Sequence, residues 1–314
     1  MKQIHLIAPS GASLDQNSPL AGINWLMQHG FDLVNTACTK RVDQRFAGSD
    51  AERLAEIKQL TELNPDTLVM GMRGGYGIHR LLPSIEWQAL ANAIGGGLQL
   101  CGHSDFTTLQ LALMAKTGAI TLAGPMLNYD FGRLDDSGKA IPPDDFTWNH
   151  FQKAVNERTV DCKISAQQSY LGKAGSSHAA GILWGGNLTI LAGLIGTPYL
   201  PTLAQTQGGL LFLEDVNEHP YRVERMLIQL LDAGILANQA AILMGGFSGY
   251  RLHEIDRGYD LKSAIEYIRT RIPSDIPILT DLPFGHQAKK LTLPIGAQAQ
   301  IDFDLTGFNI RSKW

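Results

Sequence analysis

The sequence is poor in cysteine, in charged residues and in long apolar runs. Its 314 residues include three cysteines, an odd number without a CxxC spacing, which argues against a disulfide framework and against a zinc–thiolate site. The net charge is −4, and the basic pair Lys289-Lys290 is too short to track phosphates, so we expect no nucleic-acid partner. No apolar run reaches the length of about 18 residues that predicts a membrane span.

The N-terminal segment "MKQIHLIAPSG" has the length of a strand and lacks the apolar core of a secretory signal. We therefore expect a cytoplasmic protein with reduced thiols. Hydrophobic residues make up 44% of the chain and charged residues 18%, which predicts a large core. The length allows one large domain or two of about 150 residues.

The first half of the chain alternates short apolar runs with helical patterns. Strands are predicted at 4–11, 67–72, 98–101 and 119–125, and helices at 20–29, from an N-cap at Asp50, and at 106–117. This alternation predicts an α/β domain with a parallel sheet of the Rossmann or flavodoxin type. Ligands gather at the carboxyl ends of such strands, where "RGGYG" and "GHSD" both fall.

The composition changes between residues 130 and 178, where the chain becomes polar and rich in proline and small residues. We predict an N-terminal domain over 1–150, a linker over 151–178 and a C-terminal domain over 179–314. The second half has apolar runs that predict strands and ends on an alternating segment typical of an antiparallel strand. The C-terminal domain is therefore expected to be smaller and mixed α/β.

Ser104 lies between a predicted strand and a predicted helix, in "GHSDFTTL". A serine at such a turn is typical of a nucleophile elbow, in which the hydroxyl is exposed and the next N–H helps to bind an oxyanion. The pattern departs from GxSxG, because Phe106 stands in place of the second glycine. The alternative is that Ser104 or Asp105 only caps the helix.

The glycine-rich segment "RGGYG" (73–77) also follows a predicted strand. Its backbone N–H groups could approach an anion or an oxyanion, or the segment could be a plain turn. It does not match GxGxxG, which disfavours a dinucleotide. Arg73 could bind a carboxylate or form a surface ion pair.

Glu214 and His286 are the candidate partners of a serine nucleophile. Glu214 ends the apolar run 210–213, and a buried carboxylate needs a partner such as a histidine N–H. His286 follows a Phe-Gly turn between two prolines, where it could be a rigidly held base or a surface histidine. Other histidines show no HxxxH or HExxH spacing, so no metal site is expected. A serine, a carboxylate and a histidine at strand ends supply one residue for each role of a hydrolytic triad.

The segments "GMRGGYG", "GHSDFTTL", "GGNLTIL", "FLEDVNEHPYRVERML" and "PFGH…LPIG", in this order, resemble the LD-carboxypeptidases, the serine peptidase family of muramoyltetrapeptide carboxypeptidase. The resemblance runs over nearly the whole chain. It implies a triad of Ser104 as nucleophile, Glu214 as orienting acid and His286 as general base. The family's serine turn reads GxSD, so the resemblance does not require the second glycine of GxSxG. It also implies an active site between two domains and a homodimer. His103 stands where many relatives have tyrosine, and we expect little effect on the chemistry.

The resemblance further implies hydrolysis of the L,D bond after diaminopimelate, which releases the terminal D-alanine of a murein tetrapeptide during cytoplasmic peptidoglycan recycling. No cofactor is expected. The backbone N–H groups of Asp105 and Gly75 are the expected oxyanion donors. Arg73, or the backbone of the glycine segment at Gly74, is expected to bind the carboxylate at the end of the substrate.

Two other functions remain open at the level of sequence. Some relatives hydrolyse acyl-sulfamoyl adenylate antibiotics with the same triad, and such an enzyme would need an aromatic platform for adenine. Trp184 lies in an apolar run, so we expect it in the core rather than at such a platform. The second alternative is a muropeptide-binding protein without catalytic activity.

Overall fold

The computed structural model describes residues 2–166, 169–172 and 177–314. The strands are β1 Lys2–Ile7, β2 Phe31–Val34, β3 Leu68–Gly71, β4 Gln99–Gly102, β5 Thr121–Ala123, β6 Thr159–Ser165, β7 Ser169–Tyr170, β8 His178–Asn187, β9 Gly209–Val216, β10 Gln239–Ser248, β11 Ile278–Leu279, β12 Leu293–Ile295, β13 Gln298–Asp304 and β14 Gly307–Lys313. The helices are α1 Asn17–Gln28, α2 Asp50–Gln59, α3 Trp87–Gly95, α4 Thr107–Thr117, α5 Asp145–Glu157, α6 Leu188–Leu194, α7 Leu203–Thr206, α8 Pro220–Asp232 and α9 Leu261–Arg271.

The first sheet has the order β12-β5-β4-β3-β1-β2 within the described residues. The strands β1 to β5 pair in parallel, and β12 pairs antiparallel with β5. Helices connect the parallel strands, as the alternating pattern predicted, and the parallel α/β sheet is confirmed. The carboxyl ends of β3 and β4 lie side by side, so the segments that follow them meet at one edge.

The second sheet has the order β6-β14-β13-β8-β9-β10-β11-β7 and mixes parallel with antiparallel pairs, as expected. β8, β9, β10 and β11 are parallel neighbours, whereas β13 and β14 pair antiparallel. Trp184 on β8 is fully buried, and its indole N–H donates to Gln239 Oε1 over 2.9 Å. Its predicted place in the core is confirmed.

Several local predictions need correction. Asp50 is not the N-cap of α2: Ser49 caps it in a reciprocal capping box with Glu52. Two apolar residues of α1, Leu20 and Met27, are exposed, because the buried face of this helix is narrower than its apolar pattern. β2 was not predicted. The proposed linker 151–178 contains the end of α5 and strand β6, and it includes residues 167, 168 and 173–176, which lie outside the described part of the chain.

The chain crosses from the second sheet to the first near its end. After β11 the loop 280–292 leads to β12, which adds an antiparallel edge to the first sheet. This crossing loop carries His286 toward the edge of the first sheet where β3 and β4 end. Among the described residues, no helix is both long and apolar enough to cross a membrane.

Candidate active site

The turn after β4 places Ser104 in an unusual backbone conformation. The φ angle of Ser104 is +60°, in the left-handed region that residues other than glycine seldom adopt. Such a conformation persists only where the surroundings enforce it, and it is common at active sites. No side chain in the described part of the chain caps the short 3₁₀ turn at Ser104 or the following helix α4, so the helix-cap alternative is wrong. Ser104 lines a cavity of about 650 Å³ instead.

The glycine-rich segment after β3 packs directly against this turn. A Cβ atom added to Gly74 would lie 2.6 Å from both Cβ and Oγ of Ser104 and 3.3 Å from the backbone nitrogen of Asp105. No side chain can therefore be accommodated at position 74 without displacing the serine. Gly75 also lines the cavity. The geometry brings two of the predicted oxyanion-binding segments into contact.

The side chain of Asp105 has a function that the sequence analysis missed. It is buried, and its Oδ2 atom accepts hydrogen bonds from Ser10 Oγ over 2.7 Å and from the backbone N–H of Ile78 over 3.2 Å. Burial raises the pKa of this carboxyl group, and its two hydrogen bonds oppose the rise. Asp105 thus ties the serine turn to the segment after β1 and to the end of the glycine-rich segment.

Glu214 and His286 are in direct contact. Nδ1 of His286 lies 2.8 Å from Oε2 of Glu214, whose side chain is 0% exposed at the end of β9. A carboxylate accepts, so the Nδ1 nitrogen carries the proton and Nε2 keeps a free lone pair. Gly285 allows the loop that carries His286 to lie close to Glu214, because a Cβ atom at position 285 would lie 3.0 Å from Glu214 Cβ. The φ angle of +123° at this position also favours glycine.

Asn187 is a second residue that the sequence analysis did not assign to the site. Its Nδ2 donates to Oε1 of Glu214 over 3.2 Å and to Oδ1 of Asp215 over 3.0 Å, while its Oδ1 accepts from the N–H of Ile190 and caps α6. Asp215 also accepts from Thr189, and burial raises the pKa of Asp215. The available signal was the polar Asn187 in "GGN" at the end of a buried apolar run. These contacts fix Glu214 from the side opposite His286.

The cavity brings the predicted residues together with several others. Ser104 and His286 line it with Arg73 and Gly74, whereas Glu214 lies behind His286. Arg73 donates to the carbonyl of Ala12 over 2.9 Å and lies over the ring of Tyr129, and its buried Nε has no hydrogen-bond partner among the described residues. Arg133 lines the same cavity. The two arginines give this wall a positive charge that suits a carboxylate.

A buried charged group adjoins His286, and we call it the Lys290 cluster: Lys290, Asp130 and His103. The Lys290 ammonium lies 2.6 Å from Asp130 Oδ1 and 3.1 Å from His103 Nε2. All three residues are buried in the cavity wall. The sequence showed only the basic pair Lys289-Lys290 and a polar stretch that begins at residue 130, neither of which predicted an ion pair.

A serine on a strained turn that lines one cavity with a histidine bonded to a buried carboxylate is a combination found in serine hydrolases. The comparison with protein families agrees. The LD-carboxypeptidase N-terminal domain model matches residues 4–124, and the C-terminal domain model matches residues 180–301. The chain belongs to the LD-carboxypeptidase family and is a serine-type carboxypeptidase.

Individual relatives are similar over nearly the whole chain. The crystal structure of muramoyltetrapeptide carboxypeptidase from Oxalobacter formigenes shares 38% sequence identity, covers 100% of this chain and 99% of that one, and superimposes with a TM-score of 0.86. The murein tetrapeptide carboxypeptidase of Pseudomonas aeruginosa is 29% identical over 96% of this chain and 93% of that protein. The microcin C7 self-immunity protein MccF of Escherichia coli is 28% identical over 95% of this chain and 89% of that protein.

Proposed function

We propose that this protein is an LD-carboxypeptidase that removes the terminal D-alanine from a murein tetrapeptide by cleaving the L,D bond after diaminopimelate. The observation that carries the proposal is the Glu214–His286 hydrogen bond beside a cavity lined by Ser104 on its strained turn. The names of the Pseudomonas and Oxalobacter relatives support the substrate class. A role in cytoplasmic peptidoglycan recycling and a homodimeric assembly belong to the same proposal and rest on the family resemblance.

The proposed reaction assigns a role to each triad residue. Nε2 of His286 takes the proton of Ser104, and Oγ attacks the carbonyl carbon of the residue before D-alanine. His286 then donates this proton to the departing amine, the C–N bond breaks, and water hydrolyses the acyl-enzyme. Glu214 holds the Nδ1 proton and stabilises the imidazolium that forms in each half-reaction.

The N–H groups of Asp105 and Gly75 are the proposed donors to the oxyanion. The contact between position 74 and the serine turn supports this assignment, because it places the two segments on the same side of the nucleophile. Donors that are fixed before the reaction stabilise the developing charge without reorganisation. Losing one such donor typically costs about 3–4 kcal/mol of transition-state stabilisation.

An exopeptidase also has to recognise the terminal carboxylate. Arg73 precedes Gly74 and lines the cavity, and only one hydrogen bond of its guanidinium, to the carbonyl of Ala12, is seen among the described residues, so its guanidinium and the Gly74 backbone are the proposed ligands of this carboxylate. Arg73→Ala is expected to raise KM for the tetrapeptide. Unchanged kcat and KM in this variant would show that the carboxylate is bound elsewhere.

Mass spectrometry of a diaminopimelate-containing tetrapeptide, incubated with the wild type and with Ser104→Ala in parallel, tests the proposal. We expect loss of one terminal alanine with the wild type only. Release by both proteins would show that Ser104 is not the nucleophile. Binding of intact tetrapeptide by the wild type without turnover would favour a muropeptide-binding protein.

A second candidate is the hydrolysis of acyl-sulfamoyl adenylates. The structure of MccF "in complex aspartyl sulfamoyl adenosine" superimposes with a TM-score of 0.84 at 26% identity, covering 100% of this chain and 96% of that one. The buried Trp184 cannot offer a stacking face, whereas Tyr129 is 49% exposed in the cavity wall. Incubation with aspartyl sulfamoyl adenosine tests this candidate, and cleavage of this compound without cleavage of the tetrapeptide would support it.

A further inference from the structure

The Lys290 cluster lies beside the proposed general base and takes no part in the proposed reaction. The ring of His103 faces the ring of His286 edge to face, with centroids 5.3 Å apart. Lys290 and Asp130 are 2% and 5% exposed in their side chains. A buried ion pair is costly to form and is often no more stabilising than apolar packing. Its presence next to the catalytic groups therefore calls for a reason other than stability.

The hydrogen bonds of His103 show which groups carry protons. Nδ1 of His103 lies 3.0 Å from the carbonyl oxygen of Gly124, which can only accept, so Nδ1 is protonated. Nε2 then accepts from the Lys290 ammonium. Burial, followed by the nearby charges of Lys290 and His286, holds the pKa of His103 well below 6.5. His103 is therefore a neutral acceptor, and its lone pair is not available to take the proton of Ser104.

The cluster also connects two parts of the chain that must be held together. His286 and Lys290 lie in the crossing loop 280–292, whereas His103 directly precedes Ser104 and Asp130 belongs to the helical turn Leu127–Phe131. Oδ2 of Asp130 accepts from the N–H of Met126 and fixes the carboxylate in its own turn. The ammonium of Lys290 thus joins the loop of the base to the turn of the nucleophile.

The backbone near Lys290 supports the same connection. Thr147 Oγ1 accepts from the N–H of Lys290 over 2.7 Å and donates to the carbonyl of Ala288 over 2.6 Å. The loop is thus held on one side by Glu214 through His286 and on the other by Lys290 and Thr147. The segment between these anchors has no regular secondary structure.

We propose that Lys290 is a positioning residue for the general base: its ammonium, held by Asp130 and His103, fixes the loop that carries His286 against the turn that carries Ser104. This inference rests on the proposed roles of Ser104 and His286. A displacement of about 1 Å in such a pair can cost on the order of 100-fold in rate. Lys290 acts on the proton transfer through placement and does not contact the substrate in this role.

The test uses the double variant Lys290→Met/Asp130→Asn, which removes both charges and leaves neither one buried alone. Asp130→Asn by itself keeps Lys290 but leaves its ammonium buried without the carboxylate, so this variant should be less stable than the double variant and should also lose kcat. Lys289→Met is the matched control, because Lys289 is the exposed neighbour outside the cavity wall. The measurements are kcat and KM for the tetrapeptide, the rate of Ser104 phosphonylation by a small fluorophosphonate, and the low-field proton NMR signal of His286 Nδ1–H.

We expect the double variant to fold, to keep its KM, and to lose about 100-fold in both kcat and phosphonylation rate, with a shifted or broadened Nδ1–H signal. The control should match the wild type in all three measurements. A raised KM with an unchanged kcat would overturn the proposal, because Lys290 would then bind substrate. Wild-type phosphonylation in both cluster variants would also overturn it. Since phosphonylation does not require the tetrapeptide, this result is separate from a failure of the proposed substrate.

Discussion

The turn that carries Ser104 and the loop that carries His286 face one cavity but are held in place by different interactions. The serine turn is shaped by its backbone: a left-handed residue, a glycine in van der Waals contact and two hydrogen bonds to the buried Asp105. The histidine loop lacks regular structure. Backbone hydrogen bonds to β10 hold its start, and the side-chain contacts of His286 with Glu214 and of Lys290 with Asp130 hold the part that carries the histidine.

This difference predicts which kind of substitution should disturb the serine turn and which kind should disturb the histidine loop. The close packing of Gly74 on the serine turn leaves no room for added volume, since an added Cβ would meet Cβ and Oγ of Ser104, so the serine turn should respond to small steric changes. The histidine loop depends on charge and on proton position, so it should respond to isosteric changes that alter either one. The predictions below test this contrast, beginning with the largest expected effect.

Glu214→Gln changes charge and proton position on the histidine side with almost no change in volume. The amide NH₂ group would donate to Nδ1 of His286, which would move the ring proton to Nε2 and remove the base. We expect kcat to fall by about 10⁴-fold with little loss of stability. Steady-state kinetics and thermal unfolding are the measurements. A fall in kcat of less than tenfold would mean that the charge of Glu214 is not needed, and the histidine loop would then not depend on charge as proposed.

Gly74→Ala adds one methyl group on the serine side. The new Cβ would lie 2.6 Å from Ser104 Oγ, so the turn has to shift, and we expect a loss of kcat on the order of 10²–10³-fold. The matched control is Gly95→Ala at the end of α3, where an added Cβ would have no atom within 4 Å outside its own helix among the described residues. Equal activity of the two variants would show that the close packing at position 74 is not required.

Asp105→Ala tests the anchor of the serine turn. Ser10 Oγ and the Ile78 N–H would each lose a buried acceptor, and each unpaired donor costs about 1–3 kcal/mol of the free energy of unfolding. Urea unfolding measures this loss, and kcat should fall as the anchored segments loosen. Ser10→Ala removes one donor together with its hydrogen bond and leaves no donor unpaired, so the free energy of unfolding should fall less than in Asp105→Ala. If Ser10→Ala were the more damaging variant, the hydroxyl rather than the carboxylate would be the anchor.

His103→Gln tests the pH dependence of the Lys290 cluster. The pKa of His103 lies well below 6.5 in the folded protein, so acid protonates this residue only in the unfolded chain. Its contribution to stability is complete above pH 6.5 and is lost below it, with a slope of about 1.4 kcal/mol per pH unit. Glutamine does not titrate, so this part of the acid-induced loss should disappear.

Urea unfolding at several pH values between neutral and mildly acidic would measure the effect. His29→Gln is the control, since His29 is an exposed histidine and its replacement leaves every residue of the Lys290 cluster in place. An identical pH slope in His103→Gln and the wild type would mean that mild acid protonates His103 in the folded protein as readily as in the unfolded chain, against the contacts described above.

Much of the fold was predictable because it follows from local patterns of apolar and polar residues in the sequence. The parallel order of the first sheet follows from strands that alternate with helices, and right-handed connections then place the ends of β3 and β4 together. Helix boundaries were less predictable: Ser49, which forms a capping box with Glu52, is the N-cap of α2 and lies one residue before the expected N-cap Asp50. Strand β12 was not foreseen as a member of the first sheet, because antiparallel pairing with β5 depends on a partner that is distant in sequence.

By itself, the sequence determined the family, the α/β architecture and the residue types available for a triad, because recurring motifs and apolar periodicity are local properties. The tertiary structure alone decided which groups meet: the contact of Glu214 with His286, the anchor at Asp105, and the burial of Lys290 against Asp130 and His103. Lys289 and Lys290 are identical in type and adjacent in sequence, yet one is exposed and the other is buried in an ion pair. Packing of distant segments makes that difference, and no local pattern records it.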